Sequence, residues 1–150
     1  MLMKEVQGDI WKFHEQGGWI VIPTNGDLSR WGHLAVMGRG LAKEAKQKIP
    51  GIAYGLAKMI EHYGNHVAWF VDIKIITFPV KHHYYQDADL FLIERSVDEL
   101  KKLTEGMEGP IYLPRVGCGN GRKKWSDVKP ILASLDDRFV VVTFNSTASD

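Results

Sequence analysis

Ile111-Tyr112-Leu113-Pro114-Arg115-Val116-Gly117-Cys118-Gly119-Asn120-Gly121-Arg122 reads as an apolar strand that runs into a glycine-rich turn ahead of a helical pattern. Three glycines in five residues let backbone N–H groups close around an anion at a helix start, where the helix dipole also favours negative charge. A strand-to-helix turn needs glycine for plain backbone reasons as well. Two further segments add weight to the anion reading. Gly8-Asp9-Ile10-Trp11 follows the opening strand, and Ala35-Val36-Met37-Gly38-Arg39-Gly40-Leu41-Ala42 is a second glycine turn feeding a helix. Two backbone cradles and an early acid able to read a base edge would together suit a diphosphate.

Strand-like runs occur at residues 2–7, 19–23, 67–78, 111–116 and 139–144, most of them near-continuously apolar, as in strands buried on both faces. Residues 67–78 fit either one long strand or two with a bend near Asp72. Helical periodicity links Leu41, Ala45 and Ile49; Ile52, Leu56, Met59 and Tyr63; Leu90, Ile93, Val97 and Leu100; and Trp125, Val128, Leu132 and Leu135. Pro50-Gly51 separates the first two helices, Asp87 or Asp89 caps the third, and Glu105-Gly106 ends it. Ser126 or Asp127 caps the fourth, with Pro130 close enough to its start to be tolerated. Alternating strands and helices predict an α/β fold, a three-layer α/β/α sandwich on a mixed, mostly parallel sheet. In such sheets ligands sit at the carboxyl ends of the strands, where these turns fall.

The chain has 150 residues, enough for one domain (1–150) with a substantial core. Its formal charge of +1 provides no large field for a polynucleotide backbone. The single Cys118 excludes an internal disulfide, and Met1-Leu2-Met3-Lys4-Glu5 lacks the apolar run of a signal peptide, so a cytoplasmic setting is expected. No apolar stretch approaches a membrane span, and the formal acceptor Asn145-Ser146-Thr147 is disregarded as a glycosylation site in such a chain. His62, His66, His82 and His83 have no Cys or carboxylate partners at zinc-like spacing, so neither a metal nor a cofactor is expected.

Taken in order, Gly8-Asp9-Ile10, Pro23-Thr24-Asn25, Met37-Gly38-Arg39-Gly40-Leu41-Ala42, Phe78-Pro79-Val80-Lys81 and Leu113-Pro114-Arg115-Val116-Gly117-Cys118-Gly119 resemble the macrodomain family, the ADP-ribose-binding fold. Met-Gly-x-Gly in place of the common triple-glycine loop, with Phe-Pro-x-Lys and Gly-Cys-Gly, is similar to one branch of it. That branch holds the terminal ADP-ribose glycohydrolases and the DNA ADP-ribosyl glycohydrolase antitoxins.

The resemblance implies a role for each matched position. Asp9 would accept the adenine amino group and the Ile10 backbone would meet a ring nitrogen, although Asp9 also reads as a helix cap. Asn25 would sit near the distal ribose, and Asn25-Gly26 is a turn signal in its own right. Met37, Gly38 and Gly40 would approach the diphosphate from one side, with Arg39 either reaching it or, as we favour, facing solvent. Gly117, Cys118, Gly119, Asn120 and Gly121 would supply amides on the other side. No general base stands beside Cys118 in the sequence, so its thiol is read as a small filler of the turn rather than a nucleophile. Phe144 would pack on adenine or serve as a core aromatic.

Lys81 is the catalytic candidate, acting at C1″ as a nucleophile when deprotonated, or as an acid or electrostatic stabiliser when charged. Lys81-His82-His83 also reads as a polar, solvated loop. Members that pair this lysine with an aspartate carry the acid shortly after Gly-Cys-Gly, where this chain has Asn120-Gly121, so the antitoxin-like variant without that acid is the closer analogy. Ser29 is left out of the catalytic set. The expected function is hydrolysis of the bond at C1″, freeing ADP-ribose from a modified macromolecule or small adduct. Alternatives are a non-catalytic ADP-ribose-binding module and an ADP-ribose 1″-phosphate phosphatase. A Rossmann dehydrogenase is disfavoured, because no Gly-x-Gly-x-x-Gly follows the first strand. Expected partners are ADP-ribose and ADP-ribosylated protein or single-stranded DNA; Trp31, Tyr84 and Tyr85 read either as a platform that stacks a DNA base or as aromatics that cover the core.

Overall fold

The computed structural model describes residues 3–144, so Leu2 of the opening run and the Asn145-Ser146-Thr147 acceptor lie outside the described residues. Side chains alternate across the central strands with a period of two. In β2 (Trp19–Thr24) Ile20 and Ile22 face one core while Val21 faces the other, and in β4 (Ile75–Pro79) Ile75 and Ile76 divide in the same way. Both faces of the sheet are therefore apolar, and both are covered. On one side lie α1 (Ile10–Glu15), α2 (Gly40–Lys48) and α3 (Ile52–Tyr63), which contribute Ile10, Ala45 and Leu56. On the other, α4 (Leu90–Leu103) and α5 (Trp125–Val128) contribute Ile93, Leu100 and Val128. The result is a three-layer α/β/α sandwich.

With β1 (Lys4–Gln7), β3 (Ala68–Phe70), β5 (Ile111–Leu113) and β6 (Phe139–Thr143), the six strands take the order β1-β6-β5-β2-β4-β3. Every pairing is parallel except β3 with β4. The carboxyl ends of β1, β6, β5, β2 and β4 consequently share one rim. Residues 67–78 are two strands folded back on each other: a 3-10 turn over Val71–Ile73 and a left-handed Lys74 (φ 53°) reverse the chain.

The structure adds to and departs from the sequence reading in several places. The opening run is an edge strand whose four residues are all exposed, because β1 pairs only with β6 and has no layer over it. A helix, α1, follows it immediately: its six residues are too few to show a period, and Asp9 caps it by accepting from the Trp11 amide at 3.0 Å. The fourth helix is broken. After α5 the chain passes through Pro130 into a 3-10 turn at Ile131–Ser134, since proline brings no N–H to continue the ladder. Neither Ser126 nor Asp127 caps α5; the preceding position is Lys124, without a side-chain cap. At α4, by contrast, Asp89 accepts from the Phe91 amide at 2.9 Å, and Ser96 Oγ donates to the Pro79 carbonyl at 2.7 Å, tying α4 to the end of β4.

Candidate functional site

A cleft of about 430 Å³ opens at the carboxyl ends of β2, β4 and β5. A second hollow of about 440 Å³ lies at the ends of β1 and β6. Leu41 and Pro114 line both, so the two spaces are neighbours along the rim. From β1 to β4 the rim crosses four strand spacings, about 19 Å at roughly 4.8 Å each.

The two glycine turns meet across the cleft. Gly38, Arg39 and Gly40 form one wall, and Gly117, Gly119, Asn120 and Gly121 form the other. A Cβ on Gly40 would stand 3.0 Å from Asn120 Nδ2, which measures how closely they approach. No side chain caps α2, and its first-turn residues Gly40, Leu41 and Ala42 all line the cleft, bringing the positive end of the helix to it. Among the described residues the amides of Gly119, Asn120 and Gly121 have no backbone acceptor. Cys118 is the exception in this turn. It is buried, its amide donates to the Arg115 carbonyl at 3.1 Å and its thiol to the Val116 carbonyl at 3.6 Å. Met37 is buried at the base of the opposite wall.

Asp9, Ile10 and Phe144 lie together in the second hollow. Asp9 is the cap of α1, as one of its two sequence readings has it, and it also lines this space. Phe144 is 62% exposed and stands beside the turn after β1, where Gly8 N donates to Thr143 O at 3.0 Å. It is no core aromatic. The floor includes Trp11, whose Nε1 donates to Glu44 Oε1 at 2.8 Å while the Lys48 ammonium sits 5.2 Å from its ring centroid.

At the other end stand Asn25 and Lys81. Asn25 Oδ1 accepts from the Asp27 amide at 2.9 Å and its Nδ2 donates to the Val36 carbonyl at 3.1 Å. That leaves one N–H and one oxygen lone pair for a ligand. Lys81 follows β4 and is held from several elements. Its amide reaches the Thr24 carbonyl at 3.4 Å, Asn65 Nδ2 donates to its carbonyl at 3.0 Å, and its own Nζ donates to the Tyr84 carbonyl at 3.3 Å. The neighbouring His82 ring pairs with Asp89 at 3.0 Å, which together with the amide at Phe91 holds that carboxyl below the ordinary aspartate range. Lys81 is half-buried while residues 82–87 are exposed, so the loop is polar and solvated as well as tied down by these contacts.

Burial lowers the Lys81 pKa from the ordinary lysine value, and the positive charges of Arg39 and Arg122 lower it further against an opposing pull from Asp87. Arg39, favoured as solvent-facing, is exposed and on the cleft wall at once. Ser29 has a structural task, its hydroxyl accepting from the Leu34 amide at 3.1 Å. Tyr84 lines the cleft, whereas Trp31 and Tyr85 are exposed outside it and do not belong to the core. No three His, Cys, Asp or Glu side chains among the described residues cluster so as to hold a metal, and no described helix is long and apolar enough to cross a membrane.

No protein-family model and no curated protein matches the chain. Solved structures do. The macrodomain of Mycobacterium tuberculosis DarG is similar at a TM-score of 0.74 and 22% identity, over 93% of this chain and 96% of that one. The macrodomain of Thermus aquaticus DarG gives 0.70 and 21%, over 96% and 98%. Thermosipho africanus DarTG, solved in complex with ADP-ribose, gives 0.72 and 16%, over 99% of this chain and 45% of that one. The chain folds as a macrodomain.

Within this macrodomain fold, the cleft and hollow contain residues that sequence reasoning did not select, Leu41 and Pro114 at the junction and Glu44 and Lys48 in the second hollow, while Tyr84, named only as a base-stacking candidate, lines the cleft with Lys81. Leu41 and Pro114 stand inside the quoted motifs, so adjacency to the glycine turns was a usable signal. Glu44 and Lys48 reach the hollow because they lie four residues apart on one face of α2, a relation visible only once α2 is known to flank it.

Proposed function

We propose that this macrodomain binds ADP-ribose along the rim and hydrolyses the bond at C1″, releasing ADP-ribose from a modified protein carboxylate or DNA base. Asp9, Ile10 and Phe144 take the adenine, the amides flanking Gly38–Gly40 and Gly119–Gly121 take the diphosphate, and Asn25 and Lys81 take the distal ribose. The observation that carries this reading is that Lys81 and both glycine turns line one cleft, which shares Leu41 and Pro114 with the neighbouring hollow lined by Asp9, Ile10 and Phe144. The similarity to an ADP-ribose-bound structure supports the choice of ligand. Water adds to C1″ as the bond to the adduct breaks, and the departing group takes up a proton. The turns hold the sugar in place, and Lys81, as an ammonium, stabilises the negative charge that develops on the departing atom. A cytosolic setting fits these substrates.

A specific feature favours a second reading, binding without turnover: the turn after Gly119 offers Asn120, which neither accepts nor supplies a proton as a carboxyl does. Single-turnover release of ADP-ribose from ADP-ribosylated protein and from ADP-ribosylated single-stranded DNA decides between them. Wild type releases product and Lys81→Ala does so at least about tenfold more slowly on the first reading. Calorimetric binding of ADP-ribose with no product from either substrate establishes the second, and equal rates for both proteins remove Lys81 from the mechanism.

A further inference from the structure

The loop bearing Lys81 is fastened to the loop after β2 by one carboxylate. Asp27 Oδ1 lies 2.7 Å from His83 Nδ1, and Asp27 Oδ2 accepts from the Tyr84 amide at 2.8 Å. Both oxygens are thus committed to two consecutive residues. The base of this clasp is rigid: the Asp27 amide donates to Asn25 Oδ1, its carbonyl accepts from Val36 N at 3.0 Å, and Leu28 bridges Ala35 next door. The far side is also ordered. His83 stacks on Tyr85 with 5.5 Å between ring centroids and 4° between planes, and its amide donates to Gln86 Oε1 at 3.1 Å. What the clasp fixes is the peptide of Tyr84, whose carbonyl receives Lys81 Nζ.

We propose that Asp27 is a positioning residue for Lys81: by holding His83 and the Tyr84 amide it presents the Tyr84 carbonyl that keeps the lysine side chain inside the cleft. The kinetic part of this rests on the hydrolase reading given above; the geometric part does not. The link runs through one peptide group. Asparagine at this position keeps both contacts, its oxygen accepting from Tyr84 N and its amide donating to His83 Nδ1 in the other ring tautomer. Alanine keeps neither.

The test compares Asp27→Ala and Asp27→Asn in the full chain, with two readouts. The first is turnover against affinity. A displacement of about 1 Å at a catalytic group costs on the order of 10²-fold, so Asp27→Ala is expected to lose about 10- to 100-fold in kcat while calorimetric affinity for ADP-ribose changes less than about threefold. Asp27→Asn recovers most of the rate. The second is the titration of Lys81 followed by the NMR shift of its ¹³Cε. Removing a nearby negative charge alone can only lower a lysine pKa. Release of Nζ from the half-buried site near Arg39 raises it. An upward midpoint in Asp27→Ala, and none in Asp27→Asn, supports the proposal; an unchanged or lower midpoint in a folded Asp27→Ala overturns it. If wild type shows no turnover, the hydrolase reading fails while the Lys81 titration still decides the positioning claim. Should Asp27→Ala not fold, Asp27→Ser, whose single hydroxyl cannot reach both partners, serves in its place with the same expected signs.

Discussion

Alanine substitutions along Gly117-Cys118-Gly119-Asn120-Gly121 separate the glycines that shape the turn from those that leave room beside it. Gly117 has φ +77°, and a Cβ there would approach Ile93 Cδ1 to 2.7 Å. The left-handed backbone costs about 1–2 kcal/mol for any residue with a Cβ. Ile93 is the movable end of a side chain, so its overpacking adds about 1 kcal/mol, the low end for crowding a core. Gly121 has no positive φ, yet its Cβ would lie 2.5 Å from the Gly117 carbonyl oxygen and 2.8 Å from Ala88 Cβ. That oxygen already accepts from Lys123 N at 2.9 Å, so relief requires the backbone of the turn to move, at about 2–3 kcal/mol. Gly119 meets nothing within 4 Å and has an ordinary φ. Its alanine variant keeps its stability but sets a methyl on the cleft wall. Urea unfolding is therefore expected to show losses of about 2–3 kcal/mol for Gly117→Ala and Gly121→Ala, equivalent to a Tm drop of roughly 4–12 °C in a domain of this size. Gly119→Ala should unfold within about 0.5 kcal/mol of wild type. Calorimetry on that stable variant then reads the cleft alone, and its ADP-ribose affinity is expected to fall at least tenfold. Wild-type stability in Gly121→Ala, or a Gly119→Ala protein that loses as much as Gly117→Ala, would refute the steric reasoning.

Three further outcomes are expected. Phe144→Ala, at a side chain already 62% exposed, should leave the Tm unchanged yet weaken ADP-ribose by about 1–3 kcal/mol, the range for losing a base–aromatic stack, as measured by calorimetry. Lys81→Met, which removes a half-buried ammonium near Arg39 and Arg122, should raise the Tm of the ligand-free protein by about 1–4 °C while abolishing most turnover. Asp89→Ala removes the cap of α4 and should cost about 1 kcal/mol at neutral pH. Because the folded-state pKa of Asp89 is depressed, its contribution is fully present above the unfolded aspartate value near 3.8 and vanishes as pH falls through the lower folded value, so the stability gap between variant and wild type should close in acid.

How much of this was legible in the sequence depended on how far apart the interacting residues lie. The parallel strands and α3 and α4 were visible because their apolar patterns run over enough residues to show a period, and the rim location of both glycine turns followed from topology. Helix α1 was not visible as a helix, because six residues after a cap contain less than two turns of pattern. Pro130 was misjudged because the series Trp125, Val128, Leu132 and Leu135 keeps its spacing through a break: a short α-turn followed by a 3-10 turn still brings Val128 and Leu132 to the same core. The glycine turns were read as one class of feature, yet the fold divides them. Gly117 and Gly121 are glycines for internal clearance, while Gly119 and Gly38 have open space around the Cβ position. Asp27 left no trace in the sequence at all, since its partners His83 and Tyr84 are 56 and 57 residues away and belong to another loop.

The electrostatics of the cleft bear on the form in which Lys81 works. A formal charge of +1 for the whole chain conceals a local excess: Arg39 and Arg122 both act on Lys81, and the carboxylate that opposes them, Asp87, lies 3.8 Å from Arg122 Nε. Burial and these two guanidinium groups all push the ammonium toward losing its proton. On the proposed binding mode, an anionic diphosphate between the two turns would reverse part of that balance. It would offset the field of Arg39 and Arg122 and leave burial as the lowering effect, while adding its own attraction for the positive form. On that binding mode the ligand-bound lysine would be more strongly protonated than the ligand-free one unless desolvation by the bound ribose outweighed two negative charges. A nucleophilic amine needs the opposite trend. On these grounds the cleft favours Lys81 as a charged group that stabilises electron density leaving C1″, and the clasp through Asp27 matters because such stabilisation falls off with every fraction of an ångström by which the ammonium is displaced.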